Sequence, residues 1–131
     1  MSPHWYPFLQ DISKRSKEPV KNLAAQILRK EVQPFLIWDE QAERAVALLG
    51  IRYLRCNDDL IAEWIWMTGK GMKQWTHLLA DLETYLTENI GCAEIRPVCR
   101  PGWSRLLKQR GYRITHYTME KRLREPDHGR Q

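Results

Sequence analysis

The sequence predicts a mixed α/β fold in which helices flank a largely antiparallel β-sheet. Two amphipathic segments come first, and three apolar runs separated by short polar turns follow them. Helical and extended patterns then alternate along the rest of the chain. Strands joined by short turns pair antiparallel, whereas strands separated by a helix can pair in parallel. The 131 residues, 43% of them hydrophobic, suffice for one domain, which we expect to span residues 1–131 with a polar, basic tail from about residue 120.

The first two elements are predicted to be helices. Residues 7–18 carry apolar side chains at helical spacing before a basic, polar stretch. Pro19 suits the first turn of a second helix, because a proline there gives up no intrahelical hydrogen bond. Pro34 requires that helix to stop by the residue before it.

Three strands of an antiparallel meander are predicted next, over residues 35–38, 45–55 and 60–67. The polar run 57–59 indicates the turn before the third strand. Strict alternation in the third strand divides its side chains between two faces. One face carries Leu60, Ala62, Trp64 and Trp66, and the other carries Ile61, Glu63, Ile65 and Met67.

The last part of the chain alternates between helix and strand. A helix with apolar positions from Trp75 onward is predicted to stop at Gly91, and a strand to follow over residues 93–99. A short helix carrying Trp103, Leu106 and Leu107 on one face is predicted to end at Gly111. A final strand is predicted over residues 112–119.

The composition excludes several classes of protein. The three cysteines are an odd number without a close pair, so we expect buried free thiols and neither a disulfide framework nor a zinc or other metal site. No apolar run approaches the roughly 20 residues of a membrane helix. The first four residues also lack the pattern of a signal peptide. We therefore expect a cytoplasmic protein with no membrane contact.

The formal net charge of +5 at pH 7 permits contact with phosphates, nucleic acid or acidic proteins. Two basic clusters contribute to it, Lys14, Arg15 and Lys17 near the start and Lys121, Arg122 and Arg124 near the end. Most clusters of this kind are solvated faces, so nucleic acid is not the expected partner.

The third predicted strand runs directly into Thr68-Gly69-Lys70-Gly71-Met72-Lys73, and a helix follows. A glycine-containing loop at that point brings backbone N–H groups and a helix N-terminus together, and both favour anions. The segment predicts a site for a phosphorylated ligand; the alternative for the same residues is an ordinary turn.

This arrangement resembles the GNAT superfamily of acetyl-CoA-dependent N-acetyltransferases over most of the chain. The loop is similar to the family's pyrophosphate motif, Arg/Gln-x-x-Gly-x-Gly/Ala, with Gly71 at the central glycine. Thr68 stands at the first position and Lys73 at the last, and both depart from the motif. Residues 103–112 are similar to the family's last helix, which ends in a Gly-aromatic pair. The family's usual first strand has no clear counterpart here.

The resemblance implies that acetyl-CoA is the co-substrate. In the family the pantetheine arm pairs with the strand before the loop, and the pyrophosphate lies on the loop's backbone N–H groups. The matching residues of this chain are Ile65, Trp66, Met67, Gly69, Lys70, Gly71, Met72 and Lys73.

Glu63 is the acid nearest the expected reacting centre, and it is the candidate general base for deprotonating an amine. The alternative is a cross-strand ion pair or a solvated carboxylate at the sheet edge. At the position where the family often has a proton-donating Tyr, this chain has Leu107, which cannot donate a proton.

The leading functional hypothesis is acetyl transfer from acetyl-CoA to a primary amine by direct attack in a ternary complex, with the acceptor unspecified. The alternative is a GNAT-fold protein without catalysis that serves as a binding or structural component with a protein partner, for example in a phage, where a virion location is expected. An open cleft beside the third strand favours the enzyme, and a cleft filled by side chains favours the alternative.

Overall fold

The computed structural model describes residues 4–69, 72–99, 101–115 and 119–124, with only the backbone described for Met72, Lys73 and Pro101. The chain divides into two compact units, Met1–Arg100 and Pro101–Gln131. Among the described residues, the first unit contains the sheet and the second contains one helix.

The first unit begins with two helices and continues into three strands. The elements are α1 (Tyr6–Ser16), α2 (Val20–Leu28), β1 (Gln33–Asp39), β2 (Arg44–Cys56) and β3 (Asp59–Gly69). All five were predicted within a few residues. The end of β3 differs, because Thr68 and Gly69, assigned to the loop from the sequence, continue the strand and lie opposite residues of β2.

The described sheet has the order β1-β2-β3-β4, where β4 is Cys92–Pro97. The pairs β1–β2 and β2–β3 are antiparallel, which confirms the predicted meander, and β4 is parallel to β3. A parallel neighbour is possible because the helical residues 72–90 form the crossover between β3 and β4. The fold class predicted from the sequence is confirmed.

The crossover is less regular than the single helix that was predicted. It consists of α3 (Met72–Trp75), a 3₁₀ turn (Thr76–Leu78), α4 (Leu79–Tyr85) and a π-helical turn (Leu86–Ile90). Gly91 ends it with φ of +89°, a left-handed conformation that glycine adopts readily, as predicted.

A β-bulge in β3 changes which residues share a face of the sheet. Trp66 lies opposite Gly50 and Trp64 lies opposite Ile51, so Ile65 is the extra residue. Ile65 and Trp66 therefore both pack into the core cluster under α1 and α2. The predicted alternation is wrong beyond this point, because the inserted residue places Trp64 and Trp66 on opposite faces.

The other face of the sheet packs against the crossover. An apolar groove of about 260 Å³ lies there, between β1, β2 and the helical segment, and includes Leu49, Leu79 and Tyr85. The rings of Phe35 and Tyr85 meet edge to face with centroids 5.9 Å apart. Met67 lies opposite Leu49 and so belongs to this face, not to the one that alternation predicts.

The second unit contains α5 (Pro101–Lys108), in which Trp103 and Leu107 are buried, in agreement with the predicted apolar face. Gly111 follows with φ of +93°. The predicted final strand is wrong for residues 112–115, which form no strand, while residues 116–118 lie outside the described part of the chain. An alternating apolar pattern makes a strand only where a neighbouring edge accepts it.

All three cysteines are free, as expected, but only Cys92 is buried, whereas Cys56 and Cys99 are exposed. Cys99 was predicted to lie at the end of the strand over residues 93–99. It falls outside β4, which ends at Pro97. Pro97 has no N–H to donate to the ladder, and one residue later the N–H of Val98 bonds to the carbonyl of Trp64.

Substitution of Gly50 by alanine is expected to destabilise the first unit by about 1–3 kcal/mol, because an added Cβ would lie 2.4 Å from Cε3 of the buried Trp66 ring. Denaturant unfolding of the two proteins measures the difference. Gly102→Ala is the matched control, since a Cβ there meets no atom within 4 Å. Equal free energies of unfolding for Gly50→Ala and the parent chain would show that the sheet accommodates the methyl group.

Candidate functional site

The backbone of β3 continues beyond its pairing with β4, and this creates the candidate site. The two strands pair from Leu60 opposite Cys92 to Trp64 opposite Pro97. One further bond joins them, from the N–H of Val98 to the carbonyl of Trp64 at 2.9 Å. From Ile65 to Gly69, β3 has β2 on one side and no described strand on the other. That stretch is a free strand edge of the kind that an extended ligand can pair with.

The bulge lies at the start of this free edge. The extra residue of a bulge has its backbone groups outside the regular ladder, and bulges occur often beside active sites. Ile65 is that residue, and it directly follows Trp64, the last β3 residue paired with β4. The structure thus brings together Ile65, Trp66 and Met67, which the resemblance assigns to pantetheine binding, on one continuous edge.

Two carbonyls in the part of β3 beyond Trp64 accept hydrogen bonds from side chains of the chain itself. The Trp64 indole N–H donates to the Trp66 carbonyl at 2.8 Å, and Arg15 Nη2 donates to the Met67 carbonyl at 3.0 Å. A carbonyl oxygen has two lone pairs, so each can still accept a second donor. Successive carbonyls of an extended strand point to opposite sides, so a ligand amide on the free edge would share one of these two acceptors with a side chain of the protein.

Glu63 is engaged in a cross-strand ion pair. It lies opposite Arg52 of β2, and Arg52 donates from both Nε and Nη2 to the same carboxylate oxygen, Oε1. The carboxylate side chain is 19% exposed and the guanidinium side chain 50% exposed. On the other side Glu63 lies opposite Arg96 of β4, which pairs with Glu94 at 2.6 Å. The cross-strand alternative foreseen from the sequence is thus the arrangement found, and Glu63 also lies next to the free edge.

The loop after β3 is described only in part. Gly69 has φ of +128°, and a Cβ on it would lie 2.3 Å from the carbonyl oxygen of Val46, so the strand end requires glycine. Lys70 and Gly71 lie outside the described residues. Met72 and Lys73 begin α3, and the structure describes only their backbone. The phosphate contacts expected of this loop stay a prediction.

A network of polar side chains connects α1 to the end of β3. The hydroxyl of the buried Thr68 donates to Asp11 Oδ2 of α1. Arg15 Nη2 donates to the same carboxylate oxygen at 2.9 Å and also to the Met67 carbonyl. Residues 67 and 68 are therefore fixed to α1 immediately before the loop begins.

Sequence reasoning did not find this network or the partner of Glu63. Asp11 is 57 residues from Thr68, and no local pattern connects them. For the bulge a signal did exist, since an isolated glycine inside an apolar strand, here Gly50, indicates a bulge or a close approach of another group.

Among the described residues no group of His, Cys, Asp and Glu side chains is arranged to hold a metal ion. In the same part of the chain no helix is long and apolar enough to cross a membrane.

A second polar cluster lies at the far end of the sheet from the free edge. The Tyr53 hydroxyl donates to Oε1 of Gln33 on β1. Burial, together with the nearby Cys92 and Tyr85, raises the pKa of Tyr53 to about 12. Burial likewise raises the pKa of the Cys92 thiol. Both groups are thereby held in their neutral forms and are not candidates for a nucleophile.

Comparison with known proteins identifies the fold. No protein-family model and no curated protein sequence matches the chain. Solved structures do match it. A probable acetyltransferase has a TM-score of 0.68 at 10% identity, covering 92% of this chain and 89% of its own.

Two further matches are a ribosomal-protein-alanine N-acetyltransferase from Brucella melitensis biovar Abortus and a glucosamine-6-phosphate N-acetyltransferase from Arabidopsis thaliana. The first has a TM-score of 0.65 at 11% identity, with 90% of this chain and 89% of its own covered. The second has a TM-score of 0.59 at 12% identity, with 80% and 77% covered. The chain therefore has the same fold as these acetyltransferases, which is the fold expected from the sequence. A phage origin, raised only for the non-catalytic alternative, stays a prediction.

Replacement of Tyr53 by phenylalanine is expected to remove a loss of stability at high pH. The ordinary tyrosine pKa is 10.0 and that of Tyr53 is about 12. The unfolded chain therefore releases this proton first, and the free energy of unfolding falls as the pH rises from about 10 to about 12. Denaturant unfolding at about pH 9 and about pH 11 should show a smaller decrease for Tyr53→Phe than for the parent. An equal decrease would mean that Tyr53 titrates as an ordinary tyrosine.

Proposed function

We propose that this protein binds acetyl-CoA along the free edge of β3 and transfers the acetyl group to a primary amine. The observation that carries the proposal is the continuation of β3 past Trp64, where its pairing with β4 ends. The GNAT acetyltransferase fold supports it, because the fold expectation drawn from the same resemblance is confirmed. The identity of the acceptor amine is not part of the proposal.

Binding would use the backbone more than side chains. An extended arm carrying amide groups can add to a strand edge by main-chain hydrogen bonds, which suits the pantetheine arm beside Ile65, Trp66 and Met67. The phosphates would then lie on the backbone of Gly69–Lys73, where Lys70 and Lys73 add positive charge. Gly69 supports this placement, since β3 ends on a residue that must be glycine, and glycine allows the closest approach of a ligand to the backbone.

The chemistry requires one bond to form and one to break. The neutral amine attacks the thioester carbonyl carbon, a C–N bond forms and the C–S bond breaks; the thiolate takes a proton from solvent, and the proton lost by the amine passes to solvent by way of Glu63. Glu63 would accept the proton of the attacking amine, directly or through one water. The backbone N–H at the Ile65 bulge is the candidate donor to the thioester oxygen, which gains negative charge in the transition state.

The second candidate is a GNAT-fold protein that has lost catalysis and acts as a binding or structural component. The ion pair between Arg52 and Glu63 favours it, because a base held by a guanidinium must exchange that contact for the amine. Leu107 favours it as well, since it stands where the resemblance expects a proton donor. Both candidates retain the same fold, so the measurements that separate them are ligand binding and turnover.

Titration calorimetry with acetyl-CoA is the first test, and we expect micromolar binding. Gly71→Glu is expected to abolish it, because a carboxylate side chain on the predicted phosphate cradle both fills space and repels phosphate. Denaturant unfolding of this variant provides the control for folding. Absence of binding by the parent at millimolar acetyl-CoA would contradict the ligand, and unchanged binding by a folded Gly71→Glu would contradict the phosphate position.

Glu63→Gln is expected to reduce acetyl transfer to a primary amine by about a hundredfold at neutral pH, with little change in acetyl-CoA affinity. Glu94→Gln is the matched control, since it makes the same change on the adjacent strand to a carboxylate that pairs with Arg96. Unchanged turnover of Glu63→Gln would exclude Glu63 as the base. Tight acetyl-CoA binding without turnover of any amine by the parent chain would support the second candidate.

A further inference from the structure

We infer that Arg15 of α1 is a phosphate-binding residue of this site, and that it supplies the cation that position 68 lacks. The inference rests on the proposed function, because the phosphates in question are those of acetyl-CoA. It assigns a role to a residue outside β3 and outside the loop that follows it. The ligand chemistry is a phosphate anion recognised by a guanidinium fork.

The guanidinium is held at the carboxyl end of β3 by two contacts. Nη2 donates to the Met67 carbonyl at 3.0 Å and to Asp11 Oδ2 at 2.9 Å. Asp11 in turn accepts from the hydroxyl of Thr68. The position of the positive charge is thus fixed relative to the strand residues immediately before Gly69.

The remaining donors of Arg15 are available. A guanidinium carries five N–H groups, and the two on Nη2 account for both contacts. Within the described residues, Nε and Nη1 make no hydrogen bond, which leaves three N–H donors. The side chain is 32% exposed, so these donors are accessible to a ligand. A planar fork with free donors, already held in place, loses little conformational entropy on binding phosphate.

Position 68 offers no long side chain to a ligand in this protein. The resembling motif begins with Arg or Gln, whereas this chain has Thr68, whose side chain is buried and bonded to Asp11. The Thr68 hydroxyl donates to Asp11 Oδ2, and the same oxygen accepts a hydrogen bond from Arg15. A long cationic side chain therefore reaches the strand end from α1 in place of one at position 68.

A purely structural role for Arg15 makes a different prediction about charge. If the network only held α1 against β3, weakening the Asp11–Arg15 pair would loosen the site and reduce affinity. If the guanidinium binds phosphate, the Asp11 carboxylate repels the negatively charged ligand and competes with it for the guanidinium of Arg15. Asp11→Asn keeps an oxygen that accepts from both Thr68 and Arg15 while removing the negative charge. The two roles therefore predict opposite signs for this substitution.

The experiment is calorimetric titration of acetyl-CoA into the full chain and four variants at several salt concentrations. Arg15→Gln is expected to weaken binding about tenfold or more and to reduce the dependence of affinity on salt. Asp11→Asn is expected to tighten binding severalfold. Thr68→Val, which breaks the network without changing any charge, is expected to leave the salt dependence as in the parent. Lys14→Gln controls for charge, since it removes a cation from the same turn of α1.

Three outcomes would overturn the role of Arg15. These are an Arg15→Gln variant with the parent's affinity and salt dependence, a Lys14→Gln variant with an equal loss, and an Asp11→Asn variant that binds more weakly. Absence of binding by the parent chain is a different result, because it would remove the proposed function itself. If the parent binds acetyl-CoA and Arg15→Gln binds it with the same affinity, the proposed function stays intact and Arg15 is excluded as a phosphate-binding residue.

Discussion

The close contact between the Trp66 ring and the backbone of Gly50 is the constraint on which the rest of the sheet depends. The ring occupies the space that any Cβ at position 50 would fill, and it forms part of the core under α1 and α2. The bulge at Ile65 is what brings Trp66 onto that face. Leu9 and Ile12 of α1 belong to the same cluster, so the position of the ring also determines where α1 lies along β3. The polar network at the strand end follows from this packing.

Hydrophobic periodicity was sufficient to predict most of the fold. The two helices and the meander have regular patterns, and each was found where its apolar spacing placed it. The errors occur where one residue changes the period, as at Ile65, or where a strand needs a partner, as for residues 112–115. A prediction from alternation assumes that every second side chain lies on the same face, so it fails after an inserted residue such as Ile65. A lone glycine inside an apolar strand was the available sign, and Gly50 is that sign here.

The candidate site was predicted less completely, because its decisive contacts join residues that are far apart in the sequence. The strand and its acid, Glu63, were identified locally. Arg52, its partner, is 11 residues away on the neighbouring strand, and the contact of Arg15 with Met67 spans 52 residues. Patterns of spacing describe which face a side chain occupies, not which distant residue meets it there. Electrostatic partners of a site therefore have to come from the structure, even when the site's backbone is evident from sequence.

The parallel pairing of β4 with β3 has a consequence for the order in which the first unit folds. The two hairpins of the meander close over residues 40–43 and 57–58, whereas the β3–β4 pair closes over residues 70–91. Loop-closure entropy rises by about 0.6 kcal/mol for each doubling of loop length, so the longer closure is the costlier and slower one. We expect the meander to form first and β4 to join it last. The start of the free edge of β3, where its pairing with β4 ends, would then be the latest feature to assemble.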